Sequence, residues 1–281
     1  MSSFVSFNQR VIEEFRACGG KVGGPFEGAE LLLLTTTGAR SGTSHTVPLG
    51  FLREGGSPLV VASAGGADRD PDWYRNLLVR PLVRVETGSE EYEAVAVPAV
   101  GDRREELFAR VVREEPGYGE YQERTARVIP VVVLQRTHEV DVAEGGIAGK
   151  LLAVHGWLRA ELELIRRESA AYGGAASVGM QLRQHCLAFC HSLEFHHRSE
   201  DGGLFPYLEQ QEPGLSEFFR RIEGEHRVIA RLQEELVRAL DAPGEDLSGR
   251  VQRMSRELEA HLDREEAQLL PVLRALGGSE G

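Results

Sequence analysis

Cysteine is scarce in this chain: Cys18, Cys186 and Cys190 are the three in 281 residues. Three cannot build a disulfide framework, so a reducing cytoplasm is the expected compartment. Long apolar runs are also missing. Runs such as Leu31 to Leu34 and Ile129 to Leu134 fall far short of the roughly 20 residues a bilayer span needs. The opening MSSFVSFNQR lacks the basic start and apolar core of a secretion signal. Positive charge is in deficit: 32 basic against 44 acidic residues give a net charge of −12, which argues against a nucleic-acid backbone as partner. What remains is 41% hydrophobic and 27% charged, a folding composition long enough for two ordinary domains.

Histidine divides the chain. Of nine, only His45 and His138 precede residue 150. Short β-branched segments fill the first part, at 30–37, 46–53, 58–64, 82–87, 91–98 and 129–135, with hairpin turns at REGGS and ETGSE. Between them, one short helix starts with Asp70 as N-cap and Pro71 in its first turn, and another with Asp102 as N-cap and Glu105 completing a capping box. Strands that do not alternate regularly with helices fit a small antiparallel barrel better than a doubly wound sheet. From about Gly149 the strands stop. Four segments with helical spacing of apolar residues, broken at AYGGAAS, DGGLFP/QQEPG and DAPGED, imply an up-and-down four-helix bundle. The expected division is a two-domain α+β chain: a barrel over 1–141, a linker over 142–149 and the bundle over 150–281.

The bundle contains an internal repeat. HHRSEDGGLFPYL, from His196, aligns with HLDREEAQLLPVL, from His261. His196 falls on His261 and Glu200 on Glu265, so two helices each present a His and a Glu at i and i+4, on one face. The other two helices supply His155 and His226, each flanked by apolar residues at helical spacing. Four imidazoles and two carboxylates in one core fit two metal ions bridged by the carboxylates. Mixed nitrogen and oxygen donors suit iron best, with zinc or manganese as alternatives. His197 neighbours a donor and is its potential substitute, but its i+4 partner is Asp201, at the helix end. His185 and His191 are expected to face solvent or polar neighbours, and Cys186 and Cys190 to be small core residues.

This series resembles the hemerythrin-like cation-binding domains over roughly residues 147–276. The resemblance implies a non-haem di-iron centre that binds dioxygen, nitric oxide or peroxide, or senses iron and redox state. Oxygen-carrying hemerythrins have additional histidine where this chain, on this reading, has none. That points away from oxygen storage, toward sensing, scavenging or redox chemistry.

In the first part, Gly38-Ala39-Arg40-Ser41-Gly42 follows a strand and offers backbone amides, hydroxyls and a guanidinium to an anion such as phosphate. A second loop, Ala62-Ser63-Ala64-Gly65-Gly66, leads into Asp70-Pro71-Asp72-Trp73-Tyr74, and Tyr118-x-x-Tyr121 precedes the last strand. LLLLTTTGARSG, VPLGF, VVASAGGADRDPDWYRNLL and PGYGEYQERTARVIPVVVL together resemble the deazaflavin-dependent nitroreductase and quinone reductase family, over about residues 10–137. The family implies a split β-barrel, related in type to flavin reductases, that binds reduced coenzyme F-420 and passes hydride to quinones or nitro compounds. By position, Arg40, Ser41 and Gly42 line the phosphate and glutamate tail with Pro48 beside it. Ser63, Gly65 and Gly66 lie near the ring system. Trp73, Tyr118 and Tyr121 shape the acceptor pocket, where the tyrosines can hydrogen-bond a substrate oxygen. His45 and Ala64 depart from the family, standing where it often places cations. FMN or haem in the barrel is the alternative cofactor.

At the amino terminus, Phe4, Phe7, Val11, Ile12 and Phe15 share one helical face, expected to pack over the barrel or against a partner. The polar face is not basic, which argues against a membrane-surface helix. The functional expectation is an oxidoreductase using reduced deazaflavin on quinone or nitro acceptors, coupled to a di-iron domain that meets dioxygen, nitric oxide or peroxide. The alternatives are an iron, oxygen or redox sensor, or a metal-binding protein whose barrel holds a flavin-type cofactor without turnover.

Overall fold

The computed structural model describes residues 2–88, 90–137, 146–171, 179–241 and 246–277. The chain divides into two compact units, Met1–Thr137 and His138–Gly281. In the first, β1 (Leu31–Thr37), β2 (Ser44–Glu54), β3 (Ser57–Val61), β4 (Leu82–Thr87), β5 (Glu90–Pro98) and β6 (Val131–Arg136) close into an antiparallel barrel ordered β1-β2-β3-β6-β5-β4. The Leu31–Leu34 run does not alternate with polar residues because both faces of β1 are covered. Leu32 and Leu34 join the inner cluster with Val60, Val85 and Leu134. Leu31 and Leu33 face the other way, under Val11, Ile12 and Phe15 of α1 (Ser2–Ala17). The amino-terminal helix therefore packs over the barrel, through Phe7 onward. The side chain of Phe4 lies outside the described residues. Each fully buried leucine contributes about 2 kcal/mol of apolar burial.

Two turns act as the sequence indicates. Gly55 and Gly56 have φ of 57° and 89°, joining β2 to β3 through a two-residue left-handed turn that suits glycine. Between β4 and β5 the register closes at Thr87↔Glu90, with Gly88 at φ 58° and Ser89 outside the described residues. The third and sixth strands are shorter than the patterning implies. Beyond Val61 the chain bends into a single 3-10 turn at Ala64–Gly66. Pro130 has no N–H for the ladder, but its carbonyl accepts from Ala62 at 2.9 Å.

Both expected helix caps are corrected. α2 (Asp72–Leu77) starts after Pro71, which is its N-cap, and the Asp70 carboxylate instead accepts from Arg127 at 2.8 Å. α3 (Gly101–Glu114) is capped by Val100 without a side-chain bond, while Glu105 pairs with Arg104 at 3.1 Å. A carboxylate with a guanidinium in reach gains more there than from an exposed amide. Leu107, Phe108 and Val111 of α3 cover the outer faces of β3 and β6, and α4 (Gly117–Glu123) follows.

The second unit holds α5 (Gly146–Ala171), α6 (Met180–Ser199), α7 (Phe205–Gln211), α8 (Ser216–Leu240) and α9 (Leu247–Gly277). α5 packs on α6 and α9, and α8 packs on the same two, the neighbour order of an up-and-down bundle. Of the expected linker, residues 142–145 lie outside the described residues, and 146–149 are the first turn of α5. Most of the AYGGAAS and DAPGED breaks also lies outside them. Of the expected DGGLFP/QQEPG break, the QQEPG half holds and the DGGLFP half is corrected. Glu200–Leu204 form a π turn that carries α6 into α7, and the connection to α8 comes later, at Glu212–Leu215. Gly202 and Gly203 keep helical geometry here rather than ending the helix. Two apolar clusters fill the bundle, one around Leu158, Leu162, Phe189 and Leu258, the other around Phe205, Phe219, Ile222 and Leu269. Along α5, α8 and α9, and along α6 continued through the π turn into α7, the metal-type donors fall between them.

Candidate coenzyme and metal sites

The barrel's register collects the expected coenzyme loops. Pairs Thr37↔Ser44 and Val61↔Val131 put the 38–43 loop and the 62–71 loop at one end. The first loop is closed by Gly38 N–H to Thr43 O at 2.8 Å and Gly42 N–H to Gly38 O at 2.9 Å. Asn76 of α2 fixes it from beneath, accepting from Ala39 N–H at 3.0 Å and donating to Thr36 Oγ1 at 3.2 Å. Ser41, Thr43 and His45 run in a chain of side-chain contacts at 2.8 and 3.1 Å. Arg40 is exposed. This end therefore offers a guanidinium and hydroxyls to an anion, and Pro48 lies further down β2, opposite Leu33.

In the second loop Gly65 and Gly66 play different parts. Gly66 is buried, and a Cβ there would stand 2.9 Å from the Tyr121 carbonyl, so packing against α4 already requires glycine. Gly65 is exposed, and a Cβ there would meet nothing within 4 Å. The side over Gly65 is open, with Ser63 next to it. Tyr118 and Tyr121 stand edge to face, ring centroids 5.9 Å apart. The Tyr118 hydroxyl lies over Gly50 of β2, and burial pushes its pKa up, so it keeps its proton. Trp73 is 7% exposed and belongs to the inner barrel cluster, edge-on to Tyr74.

In the bundle, His155 of α5, His196 and His197 of α6, Glu200 of the π turn, His226 of α8, and His261 and Glu265 of α9 are all buried. His196 Nε2 is 3.2 Å and His226 Nε2 3.7 Å from the two oxygens of Glu200. His155 Nε2 and His261 Nε2 stand 3.5 and 3.6 Å from Glu265 Oε2. Each carboxylate thus reaches one imidazole on either side. Donor atoms gather into two groups, each within 4.8 Å: His155, His196, Glu200 and Glu265, and His197, His226 and His261. The six expected donors are together.

His197 is the one the sequence reading left out. It faces inward, 6% exposed, and raises the imidazole count to five, so a set short of one histidine is corrected. Its signal was an i, i+3 relation to Glu200, which shares a helix face as well as i, i+4 does. Asp201, its i+4 neighbour, turns instead to His226 Nδ1 at 2.7 Å. Glu266 contacts His155 Nδ1 at 2.8 Å and Glu225 contacts His261 Nδ1 at 3.1 Å. Three outer carboxylates therefore hold Nδ1 protons and aim the Nε2 lone pairs inward. Arg159 donates to Glu266 at 2.6 Å, and Arg264 to Glu225 at 2.9 Å. His185 is buried, not solvated, with its Nδ1 3.3 Å from Glu161. Cys186 and Cys190 are buried core thiols as expected, Cys190 pushed up to about 12 by burial.

The chemistry of the donor set fits metal. Both oxygens of Glu200 and Glu265, and Nε2 of His197, His226 and His261, are buried without a hydrogen-bond partner. Buried polar atoms left unpaired cost several kcal/mol together unless a cation takes them. Burial holds His155 at about 3 and His226 and His261 at about 4, and pushes His196 and His197 down as well. All five imidazoles are neutral, the form that ligates. Glu200 and Glu265 are pushed up by burial and by neighbouring carboxylates, so without a cation both hold protons.

A barrel whose expected coenzyme loops meet at one end, and a bundle with seven converging donors, define a reductase joined to a cation-binding domain. The chain belongs to the F420H(2)-dependent quinone reductase family, whose model matches residues 8–136, and the Hemerythrin HHE cation binding domain matches residues 147–273. The F420H(2)-dependent quinone reductase Rv1261c of Mycobacterium tuberculosis is 39% identical over 128 residues, covering 43% of this chain and 85% of that one. Rv3178 of the same organism, named a putative F420H(2)-dependent quinone reductase, is 36% identical over 37% of this chain and 87% of its own. A solved F420-H2 dependent reductase is 38% identical, covering 38% of this chain and 94% of that one, with a TM-score of 0.36. Among the described residues no helix is long and apolar enough to cross a membrane.

Proposed function

We propose that the barrel oxidises reduced F-420 and reduces a quinone or nitro compound, and that the bundle holds two iron ions that meet dioxygen, nitric oxide or peroxide. The observation that carries the first half is the match of the whole barrel to relatives named for this reaction. Arg40 and the 38–43 loop bind the anionic tail, and Ser63 and Gly65 receive the ring. When bound, the coenzyme supplies a hydride. Tyr118, protonated and aimed from α4, hydrogen-bonds the acceptor oxygen as negative charge develops on it. Tyr121 walls the space around it, whereas Trp73 packs in the inner barrel cluster, apart from the tyrosines on the outer face.

For the second half, the carrying observation is the set of partnerless buried donors. His155 and His196 would hold one ion and His197, His226 and His261 the other, with Glu200 and Glu265 supplying carboxylate oxygens. Iron suits this mixed set, and zinc or manganese is the runner-up. Bound iron supplies redox and small-ligand chemistry. The outer carboxylates keep each imidazole in its ligating tautomer, and the two flanking apolar clusters exclude water. The reading places the protein in the cytoplasm.

Anaerobic mixing of the full chain with reduced F-420, then menadione, tests the proposal. Coenzyme oxidation on adding the quinone is the expected result. No oxidation with any quinone or nitro acceptor leaves a binding protein and overturns it.

A further inference from the structure

The loop after β3 holds three successive left-handed residues, Ala64 (φ 47°), Gly65 (φ 65°) and Gly66 (φ 83°). Among the described residues Ala64 is the one non-glycine with positive φ, a conformation that persists only where the surroundings impose it. Arg127 supplies that constraint. Its Nε donates to the Ala67 carbonyl at 2.7 Å, one Nη to the Ser63 and Ala62 carbonyls at 2.7 and 3.0 Å, and the other to Asp70 at 2.8 Å. Four of the five guanidinium N–H groups are spent on this one loop. A planar fork can meet four acceptors in different directions, and an ammonium cannot.

Arg127 is itself held from behind. Gln122 Nε2 donates to its carbonyl at 2.7 Å, while Gln122 Oε1 accepts from Ile129 N–H and from Arg104, both at 3.0 Å. Gln122 lies on α4, the helix of Tyr118 and Tyr121. Thr125, two residues before Arg127, donates to Asp68 at 3.0 Å from the same segment. The loop that Gly65 leaves open and the helix carrying the tyrosines are thus joined through Gln122, Thr125 and Arg127, with Arg127 making most of the bonds to the loop.

We propose that Arg127 is a positioning residue for the reductase: it sets the 62–67 loop in the shape that receives the coenzyme ring, without touching the coenzyme. This rests on the reading that the ring lies over Gly65. Loss of the clamp therefore weakens coenzyme binding and leaves turnover at saturating coenzyme in place.

Arg127→Lys and Gly65→Ala, made in the full chain, test it by steady-state kinetics with reduced F-420 and menadione, alongside melting temperature. Arg127→Lys keeps the charge but satisfies only one or two acceptors. It raises KM for the coenzyme about tenfold, with kcat within about twofold of wild type. Gly65→Ala puts a methyl group on the open side at a φ of 65°, a left-handed conformation that Ala64 beside it already adopts; the strain is read from the melting temperature, and the same KM rises at an unchanged melting temperature if the ring lies there. A raised KM for Gly65→Ala with an unchanged KM for Arg127→Lys overturns the positioning role alone. An unchanged KM in both overturns the ring placement beneath it. If Arg127→Lys does not fold, Asp70→Ala removes one acceptor and shows the same split at about threefold, and an unchanged KM there overturns the proposal.

Discussion

The imidazoles of His197 and His226 lie face to face, ring centroids 3.9 Å apart and 13° from parallel, and neither Nε2 has a hydrogen-bond partner. Two neutral rings stacked in a dry core with both lone pairs unanswered make a waiting ligand pair. His197→Ala is therefore expected to lower bound metal by about one ion per chain, whereas His185→Ala, at a buried histidine outside the donor groups, leaves metal content unchanged. Elemental analysis of the two purified variants checks this.

The outer carboxylates give a second prediction. Glu266→Gln leaves His155 Nδ1 with a neutral partner and frees Arg159 from its 2.6 Å contact. Metal affinity is expected to fall about 10- to 100-fold with the helical content unchanged, measured by chelator competition and circular dichroism.

Acidity sets a third expectation. The metal-free histidines are held below 6.5, so the unfolded chain binds more protons than the folded one once pH drops under 6.5, and stability falls there. Glu200 and Glu265 are held above 4.5, so above that value the folded chain keeps protons the unfolded one has lost, and stability falls as pH rises. Five imidazoles outweigh two carboxyls between 4.5 and 6.5, while the carboxyls alone act above. Melting of the metal-free bundle is expected to peak near pH 6.5. Metal loading at neutral pH is expected to release protons from both carboxyls, which a weakly buffered titration detects.

A fourth prediction concerns Tyr118. Burial keeps its hydroxyl protonated through neutral pH, so it donates a hydrogen bond across the working range. Tyr118→Phe is expected to lower kcat for menadione about a hundredfold and leave the KM for reduced F-420 unchanged, in stopped-flow assays.

Much of this architecture is legible in the residues. All six barrel strands follow the β-branched runs, and the His-x-x-x-Glu repeat marks four of the metal donors, because period-two and i, i+4 patterns are local and survive in sequence. His197 is harder to read as a donor, because its i+4 residue, Asp201, belongs to another imidazole and its face is shared with Glu200 at i+3. Asp201, Glu225 and Glu266 lie beside ligands in sequence, but their partners are on other helices. Asp70 and Asp102 look like caps because Ser, Thr, Asp and Asn usually are. Tertiary partners decide otherwise: Arg127 takes Asp70 away. The reach of Arg127 is invisible in sequence for a further reason, since three of its four acceptors are backbone carbonyls that any residue supplies.

The most direct test is iron titration of the metal-free full chain under anaerobic conditions, with bound iron counted after gel filtration. Two irons per chain, lost in a Glu200→Ala, Glu265→Ala double variant that remains helical, is the result expected. Saturation at one iron or none, or two irons retained by that variant, contradicts a paired site built from five imidazoles and two carboxylates.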